Sequence, residues 1–153
     1  MGWMILFFLM ALGGAGVEAK AAVEEDQAAA LLEQRYSREL NLRRRAGIAI
    51  ELTKHRLDQL RAAYETVDPE RQEEAVEAFL GALERLGTAV AAASHGGTSK
   101  NAELHLRRQQ RDLENLKTNV SYFERPAIEK VIARAAAIRE QILYSIMNPG
   151  KRN

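Results

Sequence analysis

At 153 residues the chain has the length of one domain. It contains no cysteine, which excludes a disulfide framework, a thiolate nucleophile and a zinc–thiolate site. Its 22 basic residues nearly balance 21 acidic ones, aromatics are only 6%, and alanine, leucine, glutamate and arginine dominate. This composition reads as long helices or coiled coil, not as a β-sandwich, a Rossmann domain or a disordered tail.

Residues 1–17 (MGWMILFFLMALGGAGV) carry no charged side chain, and Glu18 is the first. That length lies at the lower limit of the roughly 17–25 residues of a membrane-spanning helix. Trp3 stands where an interfacial anchor belongs. Ala11, Ala15 and Ala19 recur every four residues, a spacing that lets helices approach closely in a membrane or a tight bundle. Trp3, Met4, Ile5, Leu6, Phe7, Phe8, Leu9, Ala11 and Ala15 are therefore candidate residues for insertion into a membrane or a partner. Two other readings stand beside this one. The segment could be an apolar terminus buried in an oligomer. It could also be a secretory signal, with Ala19-Lys20-Ala21 as a small-x-small site and cleavage near Ala21. Gly2 is not a myristoylation site, because Leu6 stands where Ser or Thr is needed.

Residues 18–67 hold no proline and one glycine, Gly47. Leu57, Leu60, Tyr64 and Val67 form a helical seam, continued backward through Ile50, Ala46, Tyr36, Leu32 and Ala29 and interrupted by Arg43 and Glu39. The stretch predicts one helix of about 75 Å at 1.5 Å rise per residue. Asp68-Pro69-Glu70 is a start signal: an N-cap acceptor, a proline whose missing N–H costs nothing there, and an early acid at the positive helix end. A second, shorter helix is predicted over residues 69–93, with Val76, Phe79, Leu80, Leu83, Leu86 and Val90 facing inward. Gly96 and Gly97 break the pattern, and Thr98 or Ser99 is the expected cap of a third helix over residues 100–147. Leu106, Leu113, Leu116, Val120 and Phe123 share one phase of it. The phase jumps at Pro126 and resumes at Ile128, Ile132, Ala135, Ile138, Ile142 and Ile146, which predicts a kink.

The expected fold is all-α: an extended antiparallel helical hairpin or bundle, long–short–long, over residues 18–148. An apolar segment (1–17) precedes it and a basic tail (149–153) follows. A middle helix spanning only half of its neighbours leaves apolar stripes on protruding rods, and such stripes need a partner. A homo-oligomer is expected on this ground, with Leu57, Leu60, Tyr64, Leu113, Leu116, Val120 and Phe123 as its packing residues.

Motifs for chemistry are weak. His55, His95 and His105 do not pair at the i, i+4 spacing of a helical metal site. Gly96-Gly97-Thr98-Ser99-Lys100 lacks the order of a phosphate loop and follows a helix rather than a strand. Carboxylate pairs such as Glu73 and Glu77 are ordinary on solvated helices. No catalytic, cofactor-binding or metal-binding residue is assigned, and no enzyme activity is expected. Charge is uneven: residues 68–93 carry two basic and six acidic residues, residues 98–153 eleven and six. Arg43-Arg44-Arg45 and the basic third helix make non-specific contact with DNA or lipid phosphates a candidate role.

The order of features resembles a family. Met1, Trp3 and Met4 open the apolar run, a Gly-Ala-x-x-x-Ala-Lys stretch follows over residues 14–20, and a long Ala/Gln/Glu/Arg helix comes next. A Gly–Thr–Ser–x–Asn turn lies within residues 91–101, and Arg107-Arg108-Gln109-Gln110-Arg111-Asp112 leads to Asn115 and Asn119. This pattern is similar to the small internal virion proteins (internal virion protein B) of T7-like podoviruses. The resemblance implies an internal core protein of a tailed phage, placed in the capsid interior near the portal and beside other internal virion proteins. It implies ejection with the genome and insertion in the host envelope as part of a pore or conduit for DNA, with no catalytic site. The alternative is a bacterial periplasmic or membrane-anchored helical binding protein.

Overall fold

A computed structural model describes residues 15–93 and 96–148, with side chains from Val23 onward except Glu25. The described residues form an all-α bundle of α1 (Ala15–Arg38), α2 (Leu42–Tyr64), α3 (Pro69–Ala93), α4 (Gly96–Asn119) and α5 (Arg125–Met147). The expected rods are each cut in two, so the long–short–long proportion is corrected to five helices of 23 to 25 residues.

The first cut lies at residues 39–41. Asn41 is extended there and its Oδ1 accepts the Arg44 N–H at 3.0 Å, while Glu39 Oε1 accepts the Asn41 N–H at 2.9 Å. Side chains thus supply the acceptors that a continuing helix would have supplied. The second cut replaces the expected kink with a full reversal. Ser121-x-x-Glu124 has the capping-box spacing, and Glu124 Oε2 accepts both the Ser121 N–H (2.8 Å) and its hydroxyl (2.6 Å). Pro126 then sits in the first turn of α5, where its ring is tolerated. The α3 start is as expected: Asp68 Oδ1 accepts the Arg71 N–H at 3.2 Å. Thr98 and Ser99 are not caps, because α4 already runs from Gly96, and Ser99 is buried.

Successive helices are antiparallel, and alternate helices run parallel in two layers, α1/α3/α5 and α2/α4. Cross-links between alternate helices fix this. Thr53 meets His105 and Arg61 meets Asp112 across α2 and α4. Glu77 meets Lys130 and Glu84 meets Arg134 across α3 and α5. Glu33 meets Arg85 across α1 and α3. Burial repeats with the same spacing: Val76, Phe79, Leu83, Leu86 and Val90 of α3 are matched 52 residues on by Ile128, Val131, Ala135, Ile138 and Ile142 of α5. Ala46, Ala49, Thr53 and Leu60 of α2 are matched 53 residues on by Ser99, Ala102, Leu106 and Leu113 of α4. The chain is a short stack of like hairpins, α2–α3 beside α4–α5, with α1 as an additional half-unit on the open side.

The main core joins α2 to α5 around Phe79, Leu60, Leu83, Leu86, Leu106, Leu113, Ile128 and Ile138. Gly87 allows the α3–α5 approach, since a Cβ there would lie 3.3 Å from Ile138 Cγ2. A smaller cluster of Ala29, Leu32, Ile48, Leu52 and Ala82 holds α1.

Candidate interaction surfaces

Two structural features could serve function: one end of the bundle and one of its layers. The end is built from the α2–α3 turn and the α4–α5 turn. Gln72 ties them, its Nε2 donating to Thr66 O at 3.1 Å and to Glu124 Oε1 at 3.0 Å. Glu124 therefore accepts from three groups in two turns. The Ser121 hydroxyl and then the Ser121 N–H, with Gln72 in support, hold its carboxyl below the ordinary range. On this fixed base stand Val67, Tyr122 and Phe123, 103%, 76% and 89% exposed. The Tyr122 and Phe123 rings meet edge to face at 5.8 Å between centroids.

The start of α1 comes to the same end. Arg45 stacks on the Tyr36 ring near the α1–α2 turn, and Gln59 donates to Asp26 further along. Continuing that antiparallel register brings Ala15 level with the α2–α3 turn, so the apolar stretch that precedes α1 joins the bundle at this end. At the opposite end Leu40, Leu42, Tyr144 and Met147 are also exposed. They are split between the α1–α2 turn and the end of α5, two regions that do not touch.

The α2/α4 layer is basic. Helix α2 carries six basic and two acidic residues and α4 five and three, a layer net of +6. The layer α1/α3/α5 carries nine basic and twelve acidic residues, a net of −3. Between α2 and α4, Thr53 Oγ1 donates to Ile50 O at 2.8 Å and lies 2.9 Å from His105 Nε2. Burial first, then Arg108 and Lys54, hold the His105 pKa below its ordinary value. Toward the aromatic end, Arg61, Tyr64, Asp112, Asn115 and Asn119 line a cleft of about 380 Å³. Burial and then Glu124 push the Tyr64 hydroxyl pKa upward.

The buried polar groups serve packing. Glu103 accepts from Arg139 Nε at 2.9 Å and from Arg107 at 2.9 Å. Burial alone would raise its pKa, but the bonds from Arg139 and Arg107 more than reverse this and hold it low. Gln109 is 3% exposed, and neither amide atom has a protein partner.

Seven residues were expected to pack subunits together. Leu57, Leu60 and Leu113 lie instead in the chain's own core, Val120 is buried at its edge, and Tyr64 and Leu116 pack against it half-buried. The turns at 39–41 and 121–124 fold the rods back on themselves, so these stripes are covered from within. Only Phe123 remains exposed. Trp3, Met4, Ile5, Leu6, Phe7, Phe8, Leu9 and Ala11, with His95 and the 149–153 tail, lie outside the described residues. Ala15 is the first residue of α1. Among the described residues no helix is long and apolar enough to cross a membrane, and no group of three His, Asp or Glu could hold a metal ion. Neither a family model, nor a curated protein, nor a solved structure matches the chain.

Proposed function

We propose that the chain is a non-enzymatic structural protein that meets a lipid bilayer end-on. Its apolar leader and the Val67–Tyr122–Phe123 tip would enter together, and the helical stack would stand away from the surface. The gathering of these three exposed side chains at the end where the leader joins carries this reading. Burying each in the bilayer boundary is worth roughly 1.5–3 kcal/mol, and aromatic residues favour that boundary. The resemblance to internal virion proteins supplies the setting: a tailed-phage virion protein, beside the portal and its fellow core proteins, released with the genome into the host envelope. Oligomerisation can still draw on the exposed Phe123, but not on Leu57, Leu60 and Leu113, which the chain's own core covers. The self-contained core favours one second reading, a bacterial periplasmic or membrane-anchored helical binding or structural protein whose leader is cleaved near Ala21. An N-terminal residue near Ala22 in the mature protein would select that reading, and an intact Met1 or Gly2 would select the first.

The test is flotation with vesicles of mixed zwitterionic and anionic lipid. Compared are the full chain, the full chain carrying Val67→Ser, Tyr122→Ser and Phe123→Ser, and a chain lacking residues 1–14. The full chain is expected to float, the triple variant to lose on the order of a thousandfold in partitioning, from the low end of that range summed over three side chains, and the shortened chain to remain in solution. Equal flotation of all three would overturn the reading.

A further inference from the structure

The fold sorts the chain's charges in a way that goes beyond membrane contact and does not rest on it. On α2 and α4 almost every carboxylate is already paired. Asp58 and Asp112 both meet Arg61, at 3.5 and 3.1 Å, Glu114 meets Lys117 at 2.7 Å, and Glu103 is held by Arg107 and Arg139. Among the described residues of these two helices, only Glu51 has no ion pair. Seven cations of the same layer have none: Arg45, which stacks on the Tyr36 ring, and six others, Arg43, Arg44, Lys54, Lys100, Arg108 and Arg111. These six are exposed.

Their spacing places them together. Lys100, Arg108 and Arg111 recur on the outward stripe of α4, flanking Leu104, while Arg43, Arg44 and Lys54 share the outward side of α2. The Thr53–His105 contact binds the two helices side by side in parallel, so the stripes form one face. Lys54 and Arg108 lie at its centre, on either side of His105. Like charges held at this density without counter-charges repel one another, at a cost to the folded state that an anionic partner would relieve.

We propose that the α2/α4 face binds the phosphate backbone of double-stranded nucleic acid without reading its sequence. A run of cations about 25 Å long, at 1.5 Å per helical residue, matches a duplex that presents one phosphate per roughly 1.7 Å of axis. A lipid surface fits less well. The face runs along the side of the stack, at right angles to the apolar tip, and Leu104, the large apolar side chain it carries, is only 48% exposed. Contact through phosphates is electrostatic and strongly salt-dependent.

The experiment is fluorescence anisotropy of a labelled duplex titrated with the full chain over a range of salt. The variant carries Lys54→Gln, Arg108→Gln and Arg111→Gln, all exposed positions, with helicity checked by circular dichroism. A control carries Arg35→Gln, Arg38→Gln and Arg71→Gln on the other layer. The expected result is tight binding at low salt, at least a tenfold loss in the α2/α4 variant near 0.1 M salt, and a fall of about 2.7 in the slope of log K against log salt, from ~0.9 per phosphate contact. The control is expected to bind as the unaltered chain does. No binding at low salt, an unchanged slope in the α2/α4 variant, or an equal loss in the control would overturn the proposal. So would loss of anionic-vesicle binding in that variant with duplex binding intact, because the face would then belong to lipid headgroups.

Discussion

Gln109 is the residue whose chemistry fits its place least well. It lies between Leu106 and Leu113 on the buried stripe of α4, with neither amide atom bonded to protein. A buried amide left without partners costs about 1–3 kcal/mol. Gln109→Leu, similar in volume, is expected to raise the unfolding free energy by about that amount in urea denaturation. Glu103 is the contrasting case, buried but satisfied by two arginines. Its folded pKa is depressed, so its stabilisation is complete above the unfolded value of about 4.3 and is lost as pH falls through the lower, folded value. Glu103→Gln should be less stable than the unaltered chain around neutral pH and should lack this part of the acid limb. Matching melting curves for the two proteins across the acid range would refute that assignment. Neither residue stood out in the sequence. By sequence, Gln109 is one residue of the Arg107–Asp112 run and Glu103 carries no motif, and only their burial within the bundle shows them to be interior.

The buried faces of the helices were legible, and the places where the chain reverses were only partly so. Leu57, Leu60, Val76, Phe79, Leu83, Leu86, Leu106 and Leu113 follow helical periodicity, and all are buried. The turn at 39–41 contains neither glycine nor proline, and it is made by the Asn41 and Glu39 side chains. At 121–124 the start signal was present in Ser121-x-x-Glu124 with Pro126 behind it, but a proline inside a periodic stretch reads equally as a kink. Without those two reversals, residues such as Leu57, Leu60 and Leu113 that the chain's own core covers look like an uncovered stripe. Element scale also sets which helix is least secure. Helix α1 is held by the small cluster of Ala29 and Leu32, by Tyr36 donating to Arg85 O at 3.2 Å, and by Glu33 with Arg56 at 2.9 Å. Leu31 on its other side is 60% exposed. Amides of α1 should therefore exchange hydrogen well before those of α3, and Glu33→Ala should speed exchange in α1 while leaving α3 unchanged. Uniform protection of both helices would contradict this ordering.

At the scale of the whole molecule the decisive property is an arrangement that no single stretch displays. The repeat of 52 to 53 residues is one of burial, not of identity: Phe79 answers to Val131 and Leu83 to Ala135. Residues 18–67 balance in charge, and only the break at 39–41 separates an acidic α1 from a basic α2. Stacking alternate helices in parallel then gathers the basic helices in one layer and brings two distant turns to one end. In the proposed function the apolar tip at that end enters the bilayer and the layers stand clear of it. Because the chain has no cysteine, single labels can be placed without background. An environment-sensitive fluorophore attached through Phe123→Cys, in otherwise unaltered full-length protein, should shift to the blue when vesicles are added. The same label through Leu40→Cys, at the opposite end, should stay at its aqueous wavelength. A shift at Leu40→Cys equal to that at Phe123→Cys, or none at Phe123→Cys on vesicle-bound protein, would contradict end-on contact.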